Sequence, residues 1–179
     1  MVRVAAYGSP LRAMTIEVDG DVLTGLRYGA PPDTRTLADP DDELVADIAA
    51  QLDAYFAGER RAFDLDWKTL SASAFDVAVY EAMVTVPYGE LASYGEIAQE
   101  AGRPRAARAV GGACNRNPIP IVVPCHRVVA ADGTLGGYGS GLDIKRSLLA
   151  LERGGDVPGG GWAPAGRRRG HALVEPRDG

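Results

Sequence analysis

Cysteine and histidine are scarce in this sequence of 179 residues, which contains two of each. Cys114 and Cys125 cannot build a disulfide framework, and no four-ligand zinc cluster is apparent with only two histidines. We therefore expect neither a metal nor any other cofactor. A lone thiol in a reducing compartment is either a small buried hydrophobe or a nucleophile, and composition alone leaves both readings open.

Long apolar runs are also missing. No stretch approaches the roughly 18 uninterrupted apolar residues that span a membrane. The first residues, MVRVAAYGSP, hold no apolar run long enough for a secretory signal. Hydrophobic residues make up 46% of the chain, which suits one globular domain or two small domains sharing a core. We expect a soluble, cytoplasmic protein without membrane contact.

Acidic residues are absent from one long window, although the whole chain carries a net charge of -5. Between Glu100 and Asp132 every charged residue is an arginine, namely Arg103, Arg105, Arg108, Arg116 and Arg127. One basic face on an acidic body is typical of a local phosphate-binding surface. Chance clustering on a solvated helix face is the alternative. The distribution of charge therefore favours nucleic acid as a partner, although the net charge argues against it.

Two alternating apolar runs on either side of Asp19-Gly20 predict a β-hairpin, with residues 2–7 as a further strand. A helical stripe of apolar residues then follows Asp42 and ends at Gly58. These elements predict a small N-terminal α/β domain over residues 1–70.

A mainly helical pattern follows and predicts a second domain over residues 71–153. The segment SYGE, residues 93–96, fits a capping box at the start of a short helix that ends at Gly102. Pro104 suits the first position of the next helix, which is predicted to run to about Cys114. Two short helices joined by a tight turn form a helix-turn-helix.

The second helix of this pair has very little side-chain bulk. Its small residues are Ala106, Ala107, Ala109, Gly111 and Gly112. Each glycine within a helix costs roughly 1 kcal/mol relative to alanine, so we expect that close approach to another surface is the reason for their presence. That surface is either the protein core or a DNA groove.

The segment PCHR, residues 124–127, follows a predicted buried extended segment over 121–123. An ordinary thiol has a pKa of about 8.5, so a nearby base would increase the fraction of reactive thiolate. Adjacent side chains on an extended segment point to opposite sides, so His126 would act on Cys125 through a bridging water. Glu152, on the final helix, is a candidate to orient that histidine. Residues 154–179 are rich in glycine, proline and arginine and are expected to form a mobile tail.

Three motifs occur in one order: ARAVG at 107–111, PCHRVV at 124–129 and GGY at 136–138. With them the chain resembles the O6-alkylguanine-DNA alkyltransferase family, and the likeness covers residues 93–152 almost throughout. Weaker likeness extends upstream through SPLRAMTIEVDGDVLTGLRYG and QLDAYFAGE. The resemblance implies an α+β fold, in which a ribonuclease H-like three-stranded antiparallel sheet with a helix precedes a mainly helical domain. That second domain would carry a winged-helix-like helix-turn-helix.

The resemblance also implies four catalytic positions. Cys125 resembles the alkyl acceptor, His126 its water-mediated base and Glu152 the carboxylate that holds this histidine. Asn117 resembles an asparagine that braces the turn between the DNA-binding helix and the active site. The acceptor sulfur is expected to be exposed at the mouth of a guanine-sized pocket.

Further positions resemble those that bind the base and the DNA. Tyr94 resembles the tyrosine that promotes rotation of the nucleotide and then donates to the base. The carbonyls of Cys125 and Val128 would accept from the exocyclic amine of guanine. A loop with Tyr138, Gly139 and Ser140 would close over the base. Arg108 resembles the arginine finger that replaces the flipped guanine in the stack, and the other implied DNA contacts are Ala106, Ala107, Ala109, Gly111, Arg103, Arg105 and Arg116.

The activity implied by the resemblance is DNA repair. One alkyl group would pass irreversibly from O6-alkylguanine, or from O4-alkylthymine, to Cys125 after the base has left the duplex. The implied partner is double-stranded DNA bound through its minor groove, with no obligatory protein partner, and the chain is expected to be a monomer. The sequence departs from the family at Ser140, where glycine is usual, and at Val77 and Tyr80, where a basic residue and tryptophan are common.

Three other functions stay open on the sequence. A lesion sensor would flip the base but lack an acceptor cysteine, which the presence of Cys125 argues against. A cysteine hydrolase would also use a cysteine and a histidine, but no oxyanion-hole signature is visible. Alkyl transfer from a small molecule or from a different DNA adduct is compatible with the same residues.

Overall fold

The computed structural model describes residues 1–31 and 37–155. The chain divides into two compact units, one spanning Met1–Ser71 and the other beginning at Ala72. The mobile tail predicted over 154–179 lies outside the described residues from 156 onward. Within the described ranges no helix is long and apolar enough to cross a membrane.

The first unit contains a three-stranded antiparallel sheet. Strands β1 (Val2–Gly8), β2 (Ala13–Asp19) and β3 (Val22–Tyr28) are ordered β1-β2-β3. The predicted hairpin is confirmed, and Gly20 in its turn has a φ of 59°, which glycine adopts without steric cost. Apolar residues of these strands supply the core of this unit. Met14, Ile16 and Val18 alternate along β2, whereas Leu23 and Leu26 on β3 are three residues apart because the register shifts opposite Glu17 and Val18.

Helix α1 (Glu43–Phe56) completes the first unit, as the apolar stripe predicted. The Asp42 carboxylate caps it by accepting from the backbone amide of Val45, and the helix buries Ile48, Leu52 and Tyr55. The hydroxyl of Tyr7 on β1 donates to Asp53 on α1 over 2.6 Å. This hydrogen bond ties the helix to the sheet.

The second unit is mainly helical. Its elements are α2 (Ala74–Val84), β4 (Ala92–Ser93), α3 (Tyr94–Glu100), α4 (Ala107–Asn115), a 3-10 turn (Cys125–Arg127), β5 (Val128–Val129) and α5 (Leu142–Glu152). The predicted capping box at the start of α3 is confirmed, with Ser93 and Glu96 each accepting from the other's backbone amide. Helices α3 and α4 form the helix-turn-helix. The predicted α+β fold class is confirmed by these two units.

Two local predictions are wrong. Helix α4 begins at Ala107 rather than at Pro104, because residues 103–106 complete a turn in which the Ala106 amide donates to the Arg103 carbonyl. Residues 121–123 are not extended: Ile121 has a φ of 75°, and the Val123 amide donates back to the Ile119 carbonyl over 2.9 Å. The chain folds back on itself here before it reaches Cys125.

A short parallel pairing of β4 with β5 joins the start of α3 to the segment that follows Cys125. Ala92 pairs with Val128 and Ser93 with Val129. Ser93 is also the N-cap of α3, and Val128 directly follows the 3-10 turn that contains Cys125. The backbone therefore fixes the helix-turn-helix beside the predicted acceptor cysteine.

Candidate active site

Cys125 is the first residue of the 3-10 turn and is packed inside the second unit. Every residue from 119 to 129 is buried, and Cys125 itself is only 5% exposed. The expectation of an exposed sulfur is therefore wrong for this structure. The segment that precedes Cys125 folds back at Ile121 and is buried throughout.

The protonation of Cys125 is subject to opposing influences. Burial raises the pKa of its thiol, whereas hydrogen bonds from Asn117 and Tyr138 and the charge of Lys145 act to lower it. The other cysteine, Cys114, has its sulfur 3.6 Å from the sulfur of Met83, and burial raises its pKa to about 12. The charge of Lys145 lowers the pKa of both thiols, but only Cys125 also has side-chain hydrogen bonds that do so, which makes it the better candidate nucleophile.

Asn117 holds the turn that precedes the cysteine. Its Nδ2 donates to the carbonyl of Val123 over 2.8 Å, and its Oδ1 accepts from the amide of Ile119 over 3.0 Å. These two bonds span the residue with positive φ, Ile121. A bracing position is where the resemblance implied this asparagine, and its hydrogen bond toward Cys125 gives it a second influence on the sulfur.

His126 and Glu152 are in contact. His126 Nε2 lies 2.7 Å from Glu152 Oε1, and neither side chain has any exposed surface. An ionised carboxylate can only accept, so Nε2 carries the shared hydrogen and Nδ1 is left as the basic nitrogen of a neutral ring. Nδ1 is buried and has no hydrogen-bond partner among the described residues. This geometry suits a general base, His126 Nδ1, whose ring is oriented by a carboxylate bound to the other ring nitrogen.

Arg127 is buried against the same carboxylate. Its guanidinium donates to both oxygens of Glu152, at distances of 2.8 to 3.2 Å, and to the carbonyl of Val86 over 2.7 Å. Only 6% of Arg127 is exposed. Its predicted place on a basic face is therefore wrong, because this arginine neutralises a buried acid inside the second unit.

Lys145 on α5 is completely buried and lies beneath the predicted base-binding loop. Its ammonium donates to the backbone carbonyls of Val128, Leu135 and Gly137. Burial lowers the pKa of Lys145 to about 8. The Val128 carbonyl, which the resemblance assigned to the guanine amine, thus already accepts one hydrogen bond from this lysine.

A cavity of about 510 Å³ opens between α3, α4 and the loop that follows β5. Tyr94 and Arg108 line it, together with Gly95, Ala107, Gly111, Ala130, Ala131, Gly136 and Gly137. A side chain at Gly136 would collide with the Tyr94 hydroxyl, since an added Cβ would lie 2.5 Å from it. Burial raises the pKa of Tyr94 to about 12, so its hydroxyl keeps its proton and can donate.

The structure does not gather every predicted base-binding residue around this cavity. Tyr138, Gly139 and Ser140 are not among its lining residues. Tyr138 instead forms a hydrogen bond that acts on Cys125, and an added Cβ at Gly139 would lie 3.8 Å from the Asn115 carbonyl. Ser140 is half-buried. Cys125 is likewise not among the residues that line this cavity.

The small residues and arginines around α4 divide into two groups. Arg103, Arg105, Arg108 and Ala109 are exposed, while Ala106, Ala107 and Gly111 are half-buried. Arg116 is different, because its guanidinium donates to both oxygens of the buried Asp76 on α2, at 2.8 and 3.1 Å. All four predicted phosphate-binding arginines therefore have exposed side chains, and one of them, Arg116, also anchors α4 to α2.

Comparison with known proteins finds a family match in each of the two units. The family model for the DNA binding domain of 6-O-methylguanine DNA methyltransferase matches residues 74–154, and the model for its ribonuclease-like domain matches residues 2–68. The chain belongs to the 6-O-methylguanine DNA methyltransferase family.

Relatives within this family cover most of the chain. The methylated-DNA--protein-cysteine methyltransferase of Mycobacterium tuberculosis is 46% identical over 155 residues, which are 86% of this chain and 93% of the relative. Among solved structures, Mycobacterium tuberculosis OGT in complex with DNA has a TM-score of 0.76 at 45% identity, covering 86% of this chain and 92% of that one. An O6-methylguanine DNA methyltransferase from Methanococcus jannaschii has a TM-score of 0.64 at 29% identity, covering 83% and 93%.

One departure from the family pattern has a structural role in this methyltransferase-family chain. Tyr80, where tryptophan is common, is 1% exposed, and its hydroxyl donates to the Ala113 carbonyl over 3.1 Å. The bond connects α2 to the backbone of α4. Tyr80 thus supports the same helix that Arg116 anchors.

Sequence reasoning missed Arg127 and Lys145 as parts of the site. A signal for Arg127 was present, since it lies in the otherwise apolar run IVVPCHRVV, where a charged side chain needs a buried partner. The sequence gave a weaker signal that Lys145 is buried: it lies on the same face of α5 as Leu148 and Leu149. The partners of both residues are distant in the sequence and could not be named from it.

Proposed function

We propose that this chain repairs DNA by transferring one alkyl group irreversibly from the O6 position of guanine to Cys125. The observation that carries the proposal is the turn on which Cys125 precedes His126, whose ring is held by the buried carboxylate of Glu152 at 2.7 Å. Membership of the methyltransferase family supports the same conclusion. Each protein molecule would react once, because a thioether has no easy route back to a thiol.

The chemistry is an in-line displacement at the alkyl carbon. The Cys125 proton passes to Nδ1 of His126 through a water molecule, and the sulfur then forms the new bond to carbon. The bond from carbon to O6 breaks, and its electron pair stays on the guanine, which takes up a proton. Donation to the departing base from Tyr94 and from loop amides would stabilise this leaving group.

The base has to leave the duplex before this reaction can occur. O6 faces the major groove inside stacked DNA, and Cys125 is only 5% exposed, so the two atoms cannot meet while the base is paired. Arg108, exposed on α4 at the edge of the cavity, would fill the gap in the stack. The loop with Tyr138, Gly139 and Ser140 would close over the flipped guanine, and Val128 and Cys125 would accept from its amine.

Helix α4 is the element that we propose for binding double-stranded DNA through the minor groove. Its small residues Ala107, Ala109 and Gly111 allow a close approach, and Arg103 and Arg105 lie exposed beside it. Arg116 is the weakest of the predicted phosphate contacts, because Asp76 already engages its guanidinium. We further propose that the protein acts as a monomer in the cytoplasm, and that O4-alkylthymine is a second substrate.

Intact-protein mass spectrometry tests the transfer directly. After incubation with a duplex containing O6-methylguanine, the protein should gain the mass of one methyl group, and Cys125→Ser should gain none. Cys114→Ser is the matched control and should react like the wild type. DNA binding without a mass change would indicate a lesion sensor, and continued turnover would indicate a hydrolase; either result would refute the proposal.

A second comparison tests the role of Arg108 in base flipping. Arg108→Ala should slow repair of duplex DNA more than reaction with free O6-benzylguanine, since only the duplex needs a group to fill the stack. Arg12→Ala, which removes an exposed charge from the first unit, is the control and should leave both reactions unchanged. Equal losses on both substrates in Arg108→Ala would eliminate the finger role.

A further inference from the structure

The carboxylate of Glu152 is shared by two basic side chains that are adjacent in the sequence. Oε1 lies 2.7 Å from His126 Nε2 and 2.8 Å from Arg127 Nη2, while Oε2 lies 2.9 Å from Arg127 Nε. His126 is completely buried, and Arg127 and Glu152 are each 6% exposed. Three ionisable groups therefore meet in a region with almost no access to water.

The charges in this group limit how many protons it can hold. The guanidinium of Arg127 is always charged. Burial alone would raise the pKa of Glu152, but His126 and Arg127 hold it well below its usual range, so the carboxylate is ionised. Arg127 and Glu152 thus already balance each other, and a proton on His126 would leave an uncompensated positive charge in the interior.

The charged groups around His126 act on its pKa in opposite directions. Burial is the largest influence and lowers the pKa of His126; Glu152 opposes it, and the charges of Arg127 and Lys145 lower the pKa further. Cys125 precedes the ring on the same turn and is the group whose proton it would receive. Glu152 is therefore the one neighbour among these that favours protonation, and Arg127 offsets it.

Arg127 is also held in position from a second segment of the chain. Its Nη1 donates to the Val86 carbonyl over 2.7 Å, and its guanidinium carbon lies 5.8 Å from the centre of the Tyr88 ring. The amide of Gly89, on the same connection, donates to Glu152 Oε2 over 3.2 Å. The connection after α2 thus fixes both members of the ion pair.

We propose that Arg127 is a positioning residue that keeps His126 neutral, with its proton on Nε2, by pairing with the Glu152 carboxylate that His126 also contacts. His126 then enters the reaction with Nδ1 able to accept the Cys125 proton. This inference rests on the proposed transfer to Cys125 and adds a residue for which neither the motifs nor the resemblance gave a role.

Removal of the Arg127 charge should move a proton onto His126. In Arg127→Met, Glu152 would retain His126 and the Gly89 amide as partners, and the midpoint of His126 titration should rise by at least about one pH unit. Arg127→Lys keeps the charge and should raise the midpoint less. The pH at which the transfer rate is half-maximal should rise with the ring titration, whereas a purely structural role would lower the rate equally at every pH.

Heteronuclear NMR of the imidazole ring provides the test. The chain has two histidines, His126 and His171, so a His171→Gln background leaves a single ring to observe. The expected wild-type result at neutral pH is a neutral ring protonated on Nε2. An imidazolium in the wild type would overturn the proposal, even if Arg127→Met does not fold. An unchanged midpoint in a folded Arg127→Met would overturn it as well.

The methyl-transfer assay separates this inference from the proposed function. If the wild type gains a methyl group but the His126 ring is charged at neutral pH, the role of Arg127 is refuted and the repair function is supported. If the wild-type ring is neutral and its titration midpoint rises in Arg127→Met, but the protein gains no methyl group, the repair function is refuted. The inference about Arg127 is then supported.

Discussion

Two neighbouring regions of the second unit are built in opposite ways. Helix α4 buries only Val110 and Ala113 among its nine residues, and no side chain caps its N-terminus. Residues 119–129, which we call the acceptor segment, are all buried and are bound by Asn117, Lys145 and Glu152. The surface proposed to meet DNA thus depends on few contacts of its own, while the segment with the reactive sulfur is fixed from several sides.

This difference separates two kinds of residue. Side chains that hold the acceptor segment should contribute strongly to stability, because their loss leaves buried charges or carbonyls without partners. Exposed side chains on α4 should contribute little to stability and act mainly in binding. Measurements of the unfolding free energy of variants in each region test this difference.

Glu152→Ala should destabilise the protein most, by about 3–5 kcal/mol, since it leaves Arg127 buried without its counter-charge. Urea unfolding near neutral pH measures the change. Glu81→Ala, which removes an exposed carboxylate from α2, is the matched control and should stay within about 0.5 kcal/mol of the wild type. Similar losses in the two variants would mean that the acceptor segment is not held by this ion pair.

Lys145 should make the stability depend on pH in the alkaline range. Its pKa is lowered from 10.5 in the unfolded reference to about 8 in the folded protein. Between these values the unfolded chain binds the proton more tightly, so stability from this residue rises with pH. The unfolding free energy of the wild type relative to Lys145→Met should increase, on the order of 2–3 kcal/mol, as pH rises through that window. A flat difference would show that the lysine keeps its proton in the fold.

Arg116→Ala should reduce stability by about 1 kcal/mol, because it removes the charged partner of the buried Asp76. Arg108→Ala, on the exposed face of the same helix, should change stability by less than about 0.5 kcal/mol. The pKa of Asp76 is held below its usual value by Arg116, so the deficit of Arg116→Ala should shrink as pH falls below about 4. Thermal melts of both variants at neutral and acidic pH measure this, and equal melting temperatures would contradict an anchoring role for Arg116.

Gly111→Ala should stabilise α4 by about 0.5–1 kcal/mol, the usual gain for alanine over glycine inside a helix. An added Cβ would lie 3.9 Å from the Tyr94 ring, which is an ordinary contact distance. The same methyl group would hinder close approach to a groove, so affinity for duplex DNA should fall although the fold is more stable. Gain of stability with unchanged affinity would indicate that this glycine does not face the DNA.

The same contrast explains what the sequence could predict. Local patterns were sufficient for the hairpin at Gly20 and for the capping box of Ser93 and Glu96, whereas the α+β fold class was implied by the family resemblance. The start of α4 was predicted three residues too early, because the turn after Gly102 uses backbone hydrogen bonds that leave little trace in residue type. The sequence therefore predicts best where partners are close along the chain.

Long-range partners account for the remaining errors in the acceptor segment. Arg127 and Glu152 are 25 residues apart, and Lys145 reaches carbonyls 8 to 17 residues away. The positive φ of Ile121 depends on Asn117 and on burial of the whole turn, and isoleucine gives no local hint of it. Motif likeness identified Cys125, His126 and Glu152 as candidates, but it did not predict that the sulfur would be covered.

The parallel pairing of β4 with β5 has a mechanical consequence. Because Ser93 both starts α3 and pairs with Val129, the helix-turn-helix cannot tilt against the cysteine-bearing turn without breaking backbone hydrogen bonds. The span between the surface of α4 and the sulfur is therefore set by main-chain geometry. Substitutions on the exposed face of α4 should leave that span unaltered.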